Sequence, residues 1–238
     1  MVQVENERRS KKSQDDSARP ATAARHDDLR RDLLDAADRF IETNGLAELR
    51  ARSLAQSVGC SVGAIYNVFP DLDALILAVN ARTLEAINSA MGAISAPTPQ
   101  QQFTALAAAY LDYAISNRRR WDALFDHRLP KDVDAPDWFM NIQATAFSHI
   151  EAPLTQLRPD LAKPEVTLLA RSIFAAVHGI VALGLEHRTG QIAAPELSAQ
   201  LQTIALAMAV GLEKQGQGGF APLDPPLRPE ALEPDSGR

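Results

Sequence analysis

The chain has 238 residues, 46% of them hydrophobic, which is enough for one or two domains with a sizeable core. Its single cysteine excludes an internal disulfide, and no Cys/His set approaches zinc-ligand spacing, so no metal or other cofactor is expected. The net charge of -6 argues against a nucleic-acid partner for the chain as a whole, but the acid is unevenly placed. Through Pro70 there are 11 basic and 11 acidic residues; after it there are 13 and 19.

Residues 1–26 are polar, carry the basic pairs Arg8-Arg9 and Lys11-Lys12, and hold too little apolar surface to fold, so they read as a flexible arm. The arm has no apolar leader core, and no later stretch reads as long enough to cross a membrane. A cytoplasmic protein is expected. Leu29, Leu33, Leu34, Ala37, Phe40 and Ile41 then recur with helical period, with Asp27-Asp28 as caps and Asn44-Gly45 as a stop. Two short helical runs follow, Arg52 to Val58 and Ser61 to Val68, and a longer one runs from Pro70 to about Met91. Further helices are predicted at Pro99 to Asn117, Arg119 to His127, Asp137 to Leu157, Pro164 to His187 and Pro195 to Lys214. Pro164 and Pro195 suit a first helical position, where the missing N–H costs nothing. Strand signals are nearly absent. The expected organisation is all-α: a small domain at 27–70, a larger one at 71–214, and a Pro/Gly-rich tail at 215–238.

The segment "SLAQSVGCSVGAIYNVF" carries the sharpest local signal. Leu54, Ala55 and Val58 make one apolar face, and Ile65 and Phe69 another. Two helices of about two turns cannot bury both faces alone, so they must meet across Gly59-Cys60 and pack on the first helix, with Ser61 capping the second. The opposite face then presents Gly63, Ala64 and Asn67, flanked by Tyr66, a surface small and smooth enough for the major groove of DNA. Asn67 suits adenine, Ala64 a thymine methyl, and Tyr66 and Ser61 phosphate oxygens. The alternative is a plain corner in a helical bundle.

Leu29 to Leu75 resembles the N-terminal domain of the tetracycline-repressor (TetR) family of transcriptional regulators: Phe40-Ile41, Asn44-Gly45, Leu54-Ala55, Gly59, Ile65-Tyr66 and Phe69-Pro70 stand in the family's order and spacing. The resemblance implies a three-helix helix-turn-helix domain on double-stranded, palindromic operator DNA, a divergent effector-binding domain, and a homodimer. Val62, Ala64 and Leu72 stand where the family often carries polar or basic contacts. Arg50, Arg52 and Ser53 at the start of the second helix, with the basic arm, are expected to supply phosphate contacts instead.

The C-terminal part resembles the family less closely, through "RRRWDALFDHR" and "FAAVHGIVALGL". Small residues line 164–187 (Ala175, Ala176, Gly179) and 195–214 (Ala199, Ala205, Ala209), so by family analogy these two helices would form the dimer interface. Aromatics concentrate between 103 and 174. Tyr110, Trp121, Phe125, Trp138 and Phe139, with His178 as the polar group, are expected to line a pocket for a small apolar or aromatic effector. Candidate acid-base pairs such as Asp126-His127 and Glu186-His187 exist, but helix neighbours point apart and no nucleophile elbow, phosphate loop or metal set accompanies them, so no enzyme is expected. A repressor released by its effector is the favoured reading; the alternative is a helical binding or interaction protein that has lost its DNA contacts.

Overall fold

The computed structural model describes residues 24–186 and 192–218. Expectations for most of the arm, for His187 and for the tail beyond 218 lie outside them. Among the described residues there are nine α-helices, one 3-10 turn and no strand. Helix α1 covers 24–44, and a 3-10 turn, Leu46–Glu48, leads to α2 (Ala51–Val58) and α3 (Val62–Val68). Then come α4 (Leu72–Gly92), α5 (Pro99–Ser116), α6 (Arg118–Asp126), α7 (Asp137–Leu157), α8 (Lys163–Gly184) and α9 (Ala194–Gly216).

Two of the expected boundaries are corrected. Asp27 and Asp28 do not cap α1, because the helix is already formed at residue 24. His26 gains a partner there: its Nε2–H donates to the carbonyl of Asn67 at 3.2 Å, which fastens the start of α1 to α3. At the other end α9 runs on to Gly216, two residues past the expected stop.

The first core joins Leu33, Ala37 and Ile41 of α1 to Leu54, Ile65 and Phe69, closed by Leu75 and Val79 of α4. The second, larger core is built from α5, α7, α8, α9 and the far half of α4. Helix α4 therefore belongs to both. At about 1.5 Å per residue its 21 residues reach ~32 Å, and it is buried nearly all round, as a helix shared by two cores must be. Asp71 and Thr98 cap α4 and α5, accepting from the amides of Ala74 and Gln101.

Helix α9 lies along α5 and crosses α8 closely, and the crossing depends on one missing side chain. A Cβ on Gly184 would stand 2.5 Å from Leu197 Cδ1, and Leu197 is itself fully buried. Helix α8 also corrects the expectation that no segment could span a bilayer. Its 22 residues are long enough, and 18 consecutive ones within it reach a mean hydropathy of 1.9. The excess is on the outer side, where Leu168 and Leu183 are 68% and 64% exposed and Ala175 and Ala176 lie open between them.

Gly184→Ala is expected to cost ~1–3 kcal/mol of stability by overpacking Leu197, read from denaturant unfolding. An unchanged midpoint would mean that α8 and α9 separate freely.

Candidate DNA-reading surface and ligand cavity

The α2–α3 corner is built from local chemistry. Gly59 takes the left-handed conformation at φ 74°, and the chain reverses there, with the Cys60 amide donating to the Ala55 carbonyl at 2.9 Å. Ser61 Oγ accepts from the Ala64 amide at 3.1 Å and starts α3. Ile65, Val68 and Phe69 are buried, and the Arg30 guanidinium covers the Phe69 ring at 4.4 Å, so the orientation of α3 is set from below.

The residues expected to read DNA are accordingly outward. Arg52, Ser53, Ser61, Gly63 and Asn67 are exposed, Tyr66 is 47% exposed, and Ala64 is half-buried. Arg50 is exposed as well, but it is turned back: its Nη1 donates to the carbonyls of Ala47 at 2.6 Å and Leu49 at 2.9 Å. That leaves Nε and Nη2 for any phosphate. Cys60 is half-buried against the first core, as a small apolar filler would be.

A cavity of about 270 Å³ lies in the second core. Tyr110, Phe125 and Phe139 line it, as expected, together with Phe103, Phe147 and Phe174. Three other expected residues do not. Trp138 is 45% exposed on the outside of α7, because its neighbour Phe139 occupies the inward position and adjacent helical residues point about 100° apart. Trp121 and His178 stand behind the wall, and both are tied to Tyr110.

That tie is a chain of hydrogen bonds in a dry setting. The Trp121 indole N–H donates to the Tyr110 hydroxyl at 2.9 Å, and the hydroxyl lies 2.9 Å from His178 Nδ1. Tyr110 is 4% exposed, so its one proton must also be used, and the indole N–H, the hydroxyl and Nδ1 are all satisfied when it donates to Nδ1 of a neutral His178. Burial supports this assignment, holding the Tyr110 phenol far above its ordinary range and the His178 pKa below its ordinary value.

Helix α6 carries the cavity wall to the first domain. Its Leu124 and Phe125 face the cavity, whereas Ala123 is buried in the core of the α1–α3 domain. The Ala123 carbonyl accepts from Asn80 Nδ2 at 3.4 Å. On the same helix Arg120 pairs with Asp38 at 2.9 Å and Glu42 at 3.1 Å on α1, and just beyond it His127 donates to Asp73 at 2.9 Å. Asp38 is mostly buried, and burial raises its pKa while Arg120 opposes the rise. Residue-type reasoning missed Arg128 and Gln143, which line the cavity among apolar groups. The signal for Arg128 was present, since it stands where the α6 periodicity stops, but nothing in the sequence shows which wall that break faces. Among the described residues no group of His, Cys, Asp or Glu is arranged to hold a metal ion.

Outward small and polar groups on a short capped helix, tied to a helical domain with an apolar cavity, define the class of DNA-binding transcriptional regulators. The comparisons agree. The tetR family of bacterial regulatory proteins matches residues 33–79, and a tetracyclin repressor-like C-terminal domain matches 103–206, between them more than half of the chain. The protein belongs to the TetR family, whose members regulate transcription rather than catalyse reactions. It is 25% identical over 203 residues, 85% of this chain and 87% of the other, to the uncharacterized HTH-type transcriptional regulator Rv0681 of Mycobacterium tuberculosis. A protein of unknown function from Rhodococcus sp. RHA1 shares the fold at TM-score 0.61 and 22% identity, over 76% of this chain and 94% of that one. A tetR-family regulatory protein from Rhodococcus RHA1 shares it at 0.56 and 16%, over 76% and 96%.

The His178 assignment fixes the sign of a pH effect. A histidine held neutral by burial binds its proton less readily in the folded state, so its contribution is complete above about pH 6.5 and is lost as pH falls below that value. Unfolding midpoints should drop between pH 7.5 and 5.5, and His178→Gln should flatten that drop. Tyr110→Phe strands the Trp121 N–H and is expected to cost ~1–3 kcal/mol by the same measurement.

Proposed function

We propose that this regulator is a ligand-responsive repressor, released from a palindromic operator when a small apolar or aromatic effector enters the cavity. The observation that carries the reading is the double role of α6: Phe125 lines the cavity, and Arg120, five residues earlier on the same helix, is paired with α1 of the DNA-binding domain. A ligand that fits only one position of Phe125 favours one position of α6, and the Arg120 pairs make α1 follow α6. Effector and operator affinities are then linked reciprocally.

On this reading Asn67 and Ala64 read base edges, the backbone at Gly63 approaches closely, and Tyr66, Ser61, Ser53, Arg52 and the free side of Arg50 hold phosphates. Tyr110, Phe125 and Phe139 line the effector site, with Trp121 and His178 bracing it. Two copies would join through the outer face of α8, with α9 beside it, where Leu168, Ala175, Ala176 and Leu183 are open in the single chain. Small residues allow two such helices to cross closely, and a second copy is the cover that an apolar face of this length calls for.

A gel shift on the gene's own upstream DNA tests the whole reading; failure to bind there or at any selected site would leave a binding protein without operator function. Asn67→Ala should relax preference at one position per half-site by about 1–3 kcal/mol, whereas Tyr66→Phe should weaken all sequences alike. Ala176→Arg should yield monomers in sedimentation and remove tight operator binding, because a palindrome needs both reading helices.

A further inference from the structure

The polar groups of the cavity are few, and most of their hydrogen-bonding atoms are donors. Tyr110 offers no proton, since its own is committed to His178. The remaining polar side chains of the lining are Arg128, at the exposed edge, and Gln143, and neither has a hydrogen bond, ion pair or ring contact among the described residues. Among the described residues no carboxylate lines the cavity. The unused polar atoms of an otherwise apolar lining are therefore the five N–H of a guanidinium and the two N–H and one carbonyl oxygen of an amide, donors far outnumbering acceptors.

Deepening the proposed effector reading and resting on it, we propose that the cavity takes an anionic amphiphile, an apolar chain with a terminal carboxylate, whose head lies on Arg128 and Gln143 and whose tail lies among Phe103, Phe147 and Phe174. A cationic ligand would meet Arg128 with no carboxylate to offset it. A polyol would leave most of its hydroxyls against apolar walls, each costing free energy without a partner. A carboxylate satisfies both donors through charge-assisted hydrogen bonds, with guanidinium geometry suited to two parallel contacts. The volume of about 270 Å³ lies near the lower end of small-molecule sites, which suits a medium-length apolar chain.

Isothermal titration of the full chain with decanoate, 1-decanol and decylammonium tests this. Decanoate is expected to bind about three- to tenfold more tightly than decanol, and decylammonium more weakly than either. Arg128→Gln, a change at an exposed position, should erase the advantage of decanoate and leave decanol binding as it was. Ala146→Trp, which fills the cavity from α7, should abolish binding of both. Equal or tighter binding of decanol by the wild type overturns the proposal, as does a decanoate preference that survives Arg128→Gln or decanoate binding that survives Ala146→Trp. Operator release is measured separately. Decanoate held through Arg128 that leaves DNA bound keeps this inference and removes the effector reading, whereas an effector of other chemistry that releases DNA does the reverse.

Discussion

The ion pair between Arg120 and Asp38 is the constraint on which the rest of the molecule depends. It joins α6 to α1 at 2.9 Å with both partners mostly shielded, and Glu42 adds a second acceptor at 3.1 Å. A shielded pair gains little net stability over an apolar contact, since both ions lose water. What it supplies is position. Removing either partner leaves a poorly hydrated charge behind, so the two helices keep one mutual arrangement. Ala123, buried in the first core three residues later, prevents α6 from swinging about the pair. The α1–α3 domain and the cavity wall are thereby held as one body.

The opposite side of the wall is braced just as firmly. Trp121 from α6, Tyr110 from α5 and His178 from α8 share one line of hydrogen bonds, and Phe125 packs on the His178 ring at 4.2 Å. Tyr110 holds both of the others, and the Trp121 N–H has no other partner among the described residues, so losing the hydroxyl strands a buried polar atom at a cost comparable to a lost hydrogen bond. Three helices that would otherwise slide on apolar surfaces are placed in register. The cavity beside them is consequently a shaped space, and a shaped space can discriminate between ligands where a fluid one could not.

What was legible in the sequence was local. Gly59 and Ser61 announce the turn and the cap by residue type alone, and Ile65 and Phe69 give the inward face of α3, so the reading surface follows from periodicity. The start of α1 was hidden because Asp27-Asp28 looks like a cap, and the contact that extends the helix past it, His26 to Asn67, joins residues 41 apart. Trp138 was misplaced for a related reason. Aromatic density along the chain does not show which of two adjacent rings turns inward, and Phe139 took that position because it meets Leu77, Ala81 and Leu84 of α4. That Arg128 and Gln143 turn toward the cavity was not legible, because a cavity is a property of six helices at once.

Helix α8 draws these strands together. Its inner side supplies Ile173, Phe174 and Val177 to the cavity and His178 to the hydrogen-bonded brace, while its outer side is the open row of Leu168, Ala175 and Ala176. A helix is about 10 Å across. On the dimer reading, the surface that senses a ligand and the surface that sets the distance between two subunits are therefore opposite sides of one rigid rod. Gly184, closed against Leu197, stops that rod from shifting along α9. A ligand that reshapes the cavity then has two ways to relieve strain: moving α6, which carries α1 with it, or tilting α8, which turns one subunit against the other. On the same reading both would change the spacing of the two α3 helices. Major grooves on one face of DNA recur every ~34 Å, so even a modest change in that spacing costs operator affinity.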